Sequence, residues 1–148
     1  MILRFFLADD DQDDTELFRE ALYDINPSIE FNFASNGKEL VPKLQMSKHE
    51  PQIIFLDINM PGMNGWECLE VLKSKNELKD IPVIMYSTSS SGMDAKKAVN
   101  LGALCFFEKP PNFLRLRDFL NLIVASAVED LKETLIEIER ARIHRLYI

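Results

Sequence analysis

Apolar positions along this chain follow two rhythms. Apolar runs over residues 3–8, interrupted only by Arg4, and over 53–56, 83–86 and 104–107 read as strands buried on both faces of a sheet. Ile29, Phe31 and Phe33 alternate with polar residues, the pattern of a strand near a sheet edge with one face more exposed. Between these runs the apolar spacing is helical. Leu17, Phe18, Ala21, Leu22 and Ile25 predict a helix over 15–25, with Asp13 and Asp14 suited to its first turn and Asn26-Pro27 as its stop. Asn36-Gly37 turns the chain into a helix ending at Met46, which Pro42 should make short or kinked. Trp66, Leu69, Val71 and Leu72 mark a helix over 65–73. Ser91 with Asp94 matches a capping box for a helix over 93–101 that Gly102 ends, and Asn112 can cap a last helix.

Five strands alternating with five helices through short links predict a doubly wound α/β domain, a parallel sheet covered by helices on both faces. The most economical strand order is 2-1-3-4-5, which puts a crevice between the first and third strands. Residues 1–125 account for this domain and 126–148 for a C-terminal helical extension. There is no Gly or Pro from Asn112 to His144, so the last helix either runs straight on or breaks near Ser126, which with Glu129 matches another capping box. Val124, Val128, Leu131, Leu135 and Ile138 form an apolar stripe that needs a partner. Pairing with a second subunit, giving a homodimer through the C-terminal helix, is the expectation; folding back on its own domain is the alternative.

At 148 residues, with 47% hydrophobic and 28% charged residues, the chain has room for one domain with a substantial core. No apolar run is long enough to cross a membrane, and the start lacks the small-residue pattern of a cleavable signal, so a cytoplasmic protein is expected. Cys68 and Cys105 form no metal-ligand spacing and read as buried thiols. A net charge of −7 argues against a nucleic-acid partner.

Charge matters most where the strands end. The first run ends at Asp9 and Asp10, the central run at Asp57, the fourth at Ser87 and the fifth at Lys109. In the expected topology these converge on the crevice. Three neighbouring carboxylates repel one another and call for a cation. An oxygen-only donor set half open to water suits Mg²⁺. A carboxylate beside Mg²⁺, an ammonium and a hydroxyl is what phosphoryl transfer to aspartate requires.

Ala8-Asp9-Asp10-Asp11, the stretch from Leu56 to Gly65, the stretch from Ile81 to Ser89, Gly102-Ala103 and Phe107-Glu108-Lys109-Pro110 together closely resemble the receiver domain of two-component response regulators, a flavodoxin-like fold. The resemblance covers roughly residues 2–124. It is strongest to single-domain regulators that work with bacterial phytochromes and related histidine kinases. It implies that Asp57 accepts a phosphoryl group from a histidine kinase or phosphotransfer protein. It further implies that Asp10, Asp57 and the Asn59 carbonyl hold Mg²⁺, with Asp9 acting through water, and that Ser87 and Lys109 meet phosphoryl oxygens. Asn59 and Ser89 would influence phosphate lifetime. Phe106 stands where the family often has tyrosine, so the switch at Ser87 and Phe106 would be read through packing, and Lys109-Pro110 would be a cis peptide. Such a protein is not an enzyme and signals to a downstream protein target. An aspartate-nucleophile phosphohydrolase is disfavoured because Asn59 stands where such enzymes usually carry a second acid. A flavodoxin-like FMN carrier is disfavoured because the loop after the first strand is acidic and would repel the phosphate.

Overall fold

The computed structural model describes residues 2–88, 92–126 and 129–148. In chain order the elements are β1 (Arg4–Ala8), α1 (Gln12–Ile25), β2 (Glu30–Ala34), α2 (Gly37–Met46), β3 (Ile53–Leu56), α3 (Gly65–Ser74), β4 (Val83–Ser87), α4 (Gly92–Asn100), β5 (Cys105–Glu108), α5 (Phe113–Ala125), α6 (Leu131–Ala141) and β6 (Leu146–Tyr147). The first five strands pair in parallel in the expected order. The sheet then gains a strand the pattern did not announce: β6 pairs antiparallel with the outer edge of β5. A two-residue strand is too short to show an alternation.

Caps explain where the helices begin. Asp11 accepts the amides of Asp13 and Asp14 at the start of α1, and Asn36 and Asn112 do the same for Glu39 and Arg115. Asn64 and Glu67 form a reciprocal capping box at α3. The box read at Ser91 lies outside the described residues. Helix α2 accommodates Pro42 within ten residues, in line with the short helix expected there.

Period-two alternation along the strands divides the core between the two faces of the sheet. Phe5, Leu7, Phe55, Tyr86 and Phe107 meet Phe18 of α1 and Phe119 and Ile123 of α5 on one face. Phe6, Leu56, Met85 and Phe106 meet Leu40, Leu69 and Ala98 on the other. Cys105 belongs to the first face and Cys68 to the second, so the two buried thiols are free and separated by the sheet.

The C-terminal segment breaks rather than continuing α5. Ser126 is the C-cap of α5, and α6 starts at Leu131 with Asp130, not Ser126, at its N-cap. The stripe does not await another subunit. Leu131, Leu135 and Ile138 are buried in the same cluster as Phe107, Phe119 and Ile123, which removes the reason given for a homodimer; Val128 lies outside the described residues. The physical preference is clear. Few residues separate α5 from α6, so this contact closes at little loop entropy, whereas a dimer would also lose translational and rotational freedom. Each fully buried Leu or Ile contributes roughly 1.5–3 kcal/mol.

Candidate phosphoryl site

Strands β1 and β3 lie side by side with Ala8 opposite Leu56, and the Asp57 amide donates to the Ala8 carbonyl at 2.9 Å. Asp9 and Asp57 therefore leave the sheet next to one another. Both are buried, at 1% and 5% exposure, while Asp10 faces solvent. Each of the three offers a carboxylate oxygen within 4.8 Å of the other two. Two glycines make the loop after β3 fit. A Cβ on Gly65 would fall on the Asp57 carbonyl oxygen, and one on Gly37 would fall on that of Met63. Helices α2 and α3 thus press directly against the backbone of the loop that carries Asn59, whose residue is exposed.

Lys109 reaches into the crevice from the end of β5. Its Nζ lies 2.7 Å from Asp9 Oδ2, 2.8 Å from Asp14 Oδ2 and 3.7 Å from Asp57 Oδ2. It also sits over the ring of Tyr86, 5.4 Å from the centroid. The Lys109 backbone N–H donates to the Ser87 carbonyl at 2.8 Å, tying the ends of β4 and β5 together. No cis peptide occurs among the described residues, so Lys109-Pro110 is trans, against expectation. The trans form is the ordinary preference of X-Pro bonds, by about 0.5–1 kcal/mol, and the lysine reaches its carboxylates without the alternative.

Electrostatics here are dominated by burial. It pushes Asp9 up to about 6, against the opposing hydrogen bond from Lys109 and the Asp11 amide. Asp57 is raised for the same reason, opposed by the Lys109 charge and by the Ile58 amide, which donates to Oδ1 at 2.8 Å. Burial would lower Lys109, but hydrogen bonds to Asp14 and Asp9 outweigh it and hold the ammonium well above its usual range. Among the described residues the buried Ser87 Oγ lacks a hydrogen-bond partner, whereas Asp9 Oδ2 is held by the Lys109 ammonium at 2.7 Å. Crowded carboxylates and an all-oxygen donor set fit a hard divalent cation.

The structure thus brings together Asp9, Asp10, Asp57 and Lys109, with Ser87 at the adjoining strand end and Phe106 buried two register pairs earlier, opposite Met85. Asp14 as the partner of Lys109 was not foreseen. Its place in the first turn of α1 has a sufficient explanation in the helix dipole, and only the topology shows that this turn faces the crevice. Ser89 lies outside the described residues.

The family model for the response regulator receiver domain matches residues 5–121. The chain belongs to that family. Among solved structures, the phosphorylated cyanobacterial phytochrome response regulator RcpA is 30% identical, with a TM-score of 0.76 over 83% of this chain and 91% of that one. The Mn²⁺-bound response regulator Rcp1 is 26% identical, with a TM-score of 0.75 over 86% and 96%. Among curated relatives, a protein-glutamate methylesterase/protein-glutamine glutaminase of Methanococcoides burtonii is 34% identical over 118 residues, which are 76% of this chain and 32% of that protein. The chain spans about a third of the length of the curated relatives it matches. The receiver fold is therefore the part held in common, and among the described residues no helix is long and apolar enough to cross a membrane.

Proposed function

We propose that this receiver takes a phosphoryl group onto Asp57 from the phosphohistidine of a histidine kinase or phosphotransfer protein, in the cytoplasm, and signals to a protein partner. The observation that carries this reading is the buried Asp57 carboxylate, flanked by Asp9 and Asp10 and faced by the Lys109 ammonium. A carboxylate oxygen of Asp57 attacks phosphorus in line, the P–N bond breaks, and the electron pair leaves with the imidazole, which takes up a proton. Asp10, Asp57 and the Asn59 carbonyl would hold Mg²⁺, with Asp9 acting through water, and the bound ion would supply neutralisation of the phosphoryl oxygens. Lys109 neutralises another oxygen, and the unpartnered Ser87 hydroxyl donates to a third. Residues 1–125 form the receiver proper in this reading. The methylesterase activity named for the longer relatives is not assigned to this chain.

Incubation with Mg²⁺ and a small phosphodonor should add one acid-stable, base-labile phosphoryl group, read by mass spectrometry and absent in Asp57→Asn. Undiminished labelling of Asp57→Asn would sink the mechanism.

A further inference from the structure

Strand β6 is attached at the end of β5 that delivers Lys109. Tyr147 pairs with Phe106 and Leu146 with Phe107. The Glu108 amide donates to the Arg145 carbonyl at 2.9 Å, and Arg145 Nη1 lies 3.3 Å from both carboxylate oxygens of Glu108. The next residue is Lys109, whose own amide is bonded to Ser87. On the other side of the strap, the Tyr147 ring meets Phe106 edge-on, with centroids 6.4 Å apart and planes at 61°. The terminal Ile148 reaches a small hollow lined by Ala95, Lys96, Val99 and Asn100 of α4. The attachment is short and mixed: Leu146 is buried, Tyr147 is 40% exposed, and the Arg145–Glu108 pair is open to water on the arginine side. Strands this short hold only through their side-chain contacts.

Lys109 has two sets of partners to choose between. Here it is bound to Asp9 and Asp14 and stands 3.7 Å from Asp57. A phosphoryl group on Asp57 adds negative charge on that third side and draws the ammonium towards it. Ser87, which lies on the same sheet face as Met85 and Phe106, gains an acceptor for its unpartnered hydroxyl. Both displacements act on the ends of β4 and β5, where the ladder to β6 begins.

Resting on the phosphoacceptor reading, we infer that β6 is a strap docked in cis whose attachment to β5 is linked to the state of Asp57: phosphorylation loosens it, and loosening it favours occupancy of the site. Linkage makes the two effects equal in size. Amide hydrogen exchange at Glu108, measured on the full chain with and without Mg²⁺ plus beryllofluoride as phosphoryl mimic, should accelerate by at least about 5-fold, the lower end of ordinary coupling between sites. Tyr147→Ala should bind beryllofluoride more tightly by a similar factor, and Tyr147→Phe, which keeps the ring, should behave as wild type. Unchanged or slower Glu108 exchange in protein whose mass shows a phosphoryl group on Asp57 overturns the linkage and leaves the phosphoacceptor reading standing. Failure to take up either the phosphoryl group or its mimic overturns both.

Discussion

Asp9 and Leu135 are each 1% exposed, and Asp57 and Ile138 each 5%. The crevice and the C-terminal extension thus remove their side chains from water to the same degree, yet burial does opposite things in the two places. Leu135 and Ile138 gain from leaving water and need nothing further. Asp9 and Asp57 lose solvation that one shared ammonium restores only in part, which is why both carboxyls are pushed upward. The extension is at rest in the isolated chain. The crevice is not, and the free energy it lacks is of the kind that a bound cation would supply.

The largest effect expected from this contrast lies in the extension. Leu135→Ala should lower the unfolding free energy by about 2–5 kcal/mol in a urea titration. A loss well under about 1 kcal/mol would mean that α6 does not share the core, and the comparison would collapse. Next comes the cation: at pH 7, Mg²⁺ at a hundredfold excess over its dissociation constant should add about 2.7 kcal/mol, seen as a raised thermal midpoint that Asp57→Asn diminishes.

A smaller effect separates charge from volume within the crevice. With Asp9 at about 6 in the folded chain and 3.8 as its ordinary value, its contribution to stability is full below pH 3.8 and is lost as pH rises through 6. Asp57 shifts in the same sense. Asp9→Asn keeps an acceptor for the Asp11 amide, so without metal it should match wild type at acid pH and become more stable above pH 6, by about 1–2 kcal/mol after screening is allowed for. A variant less stable than wild type at neutral pH would show that the ion pair to Lys109 outweighs the burial it requires. The smallest effect belongs on the far side of the sheet. Lys43 donates to the Phe33 carbonyl at 2.9 Å and sits 5.3 Å over its ring, but in the open, so Lys43→Ala should cost about 0.5 kcal/mol.

The first five strands and their order were legible because each strand is a dense apolar run and each link is short. The juxtaposition of the candidate site's residues was legible for a related reason: they stand at strand ends, where topology alone brings Asp9, Asp57, Ser87 and Lys109 together. What escaped was whatever depends on how one surface meets another. The ring of Phe107 and that of Phe119 stack at 3.8 Å beside His144, whose Nε2 meets Asp118 at 2.9 Å. Nothing in the spacing of the C-terminal segment distinguishes that resident surface from an identical surface on another molecule. Asp14 escaped similarly, because a helix-start acid needs no further reason until a lysine 95 residues away is seen to touch it.

The lateral edges of the sheet bear on how this protein behaves when concentrated. On one flank, Lys43 takes a β2 carbonyl that would otherwise be free to accept from a foreign chain. On the other, β6 occupies the row of backbone groups on β5. Detaching β6 would bare the backbone edge of an apolar strand, Cys-Phe-Phe, with strong β preference. The same two residues that finish the sheet also keep one molecule from templating the next, so any treatment that frees them should announce itself first as turbidity.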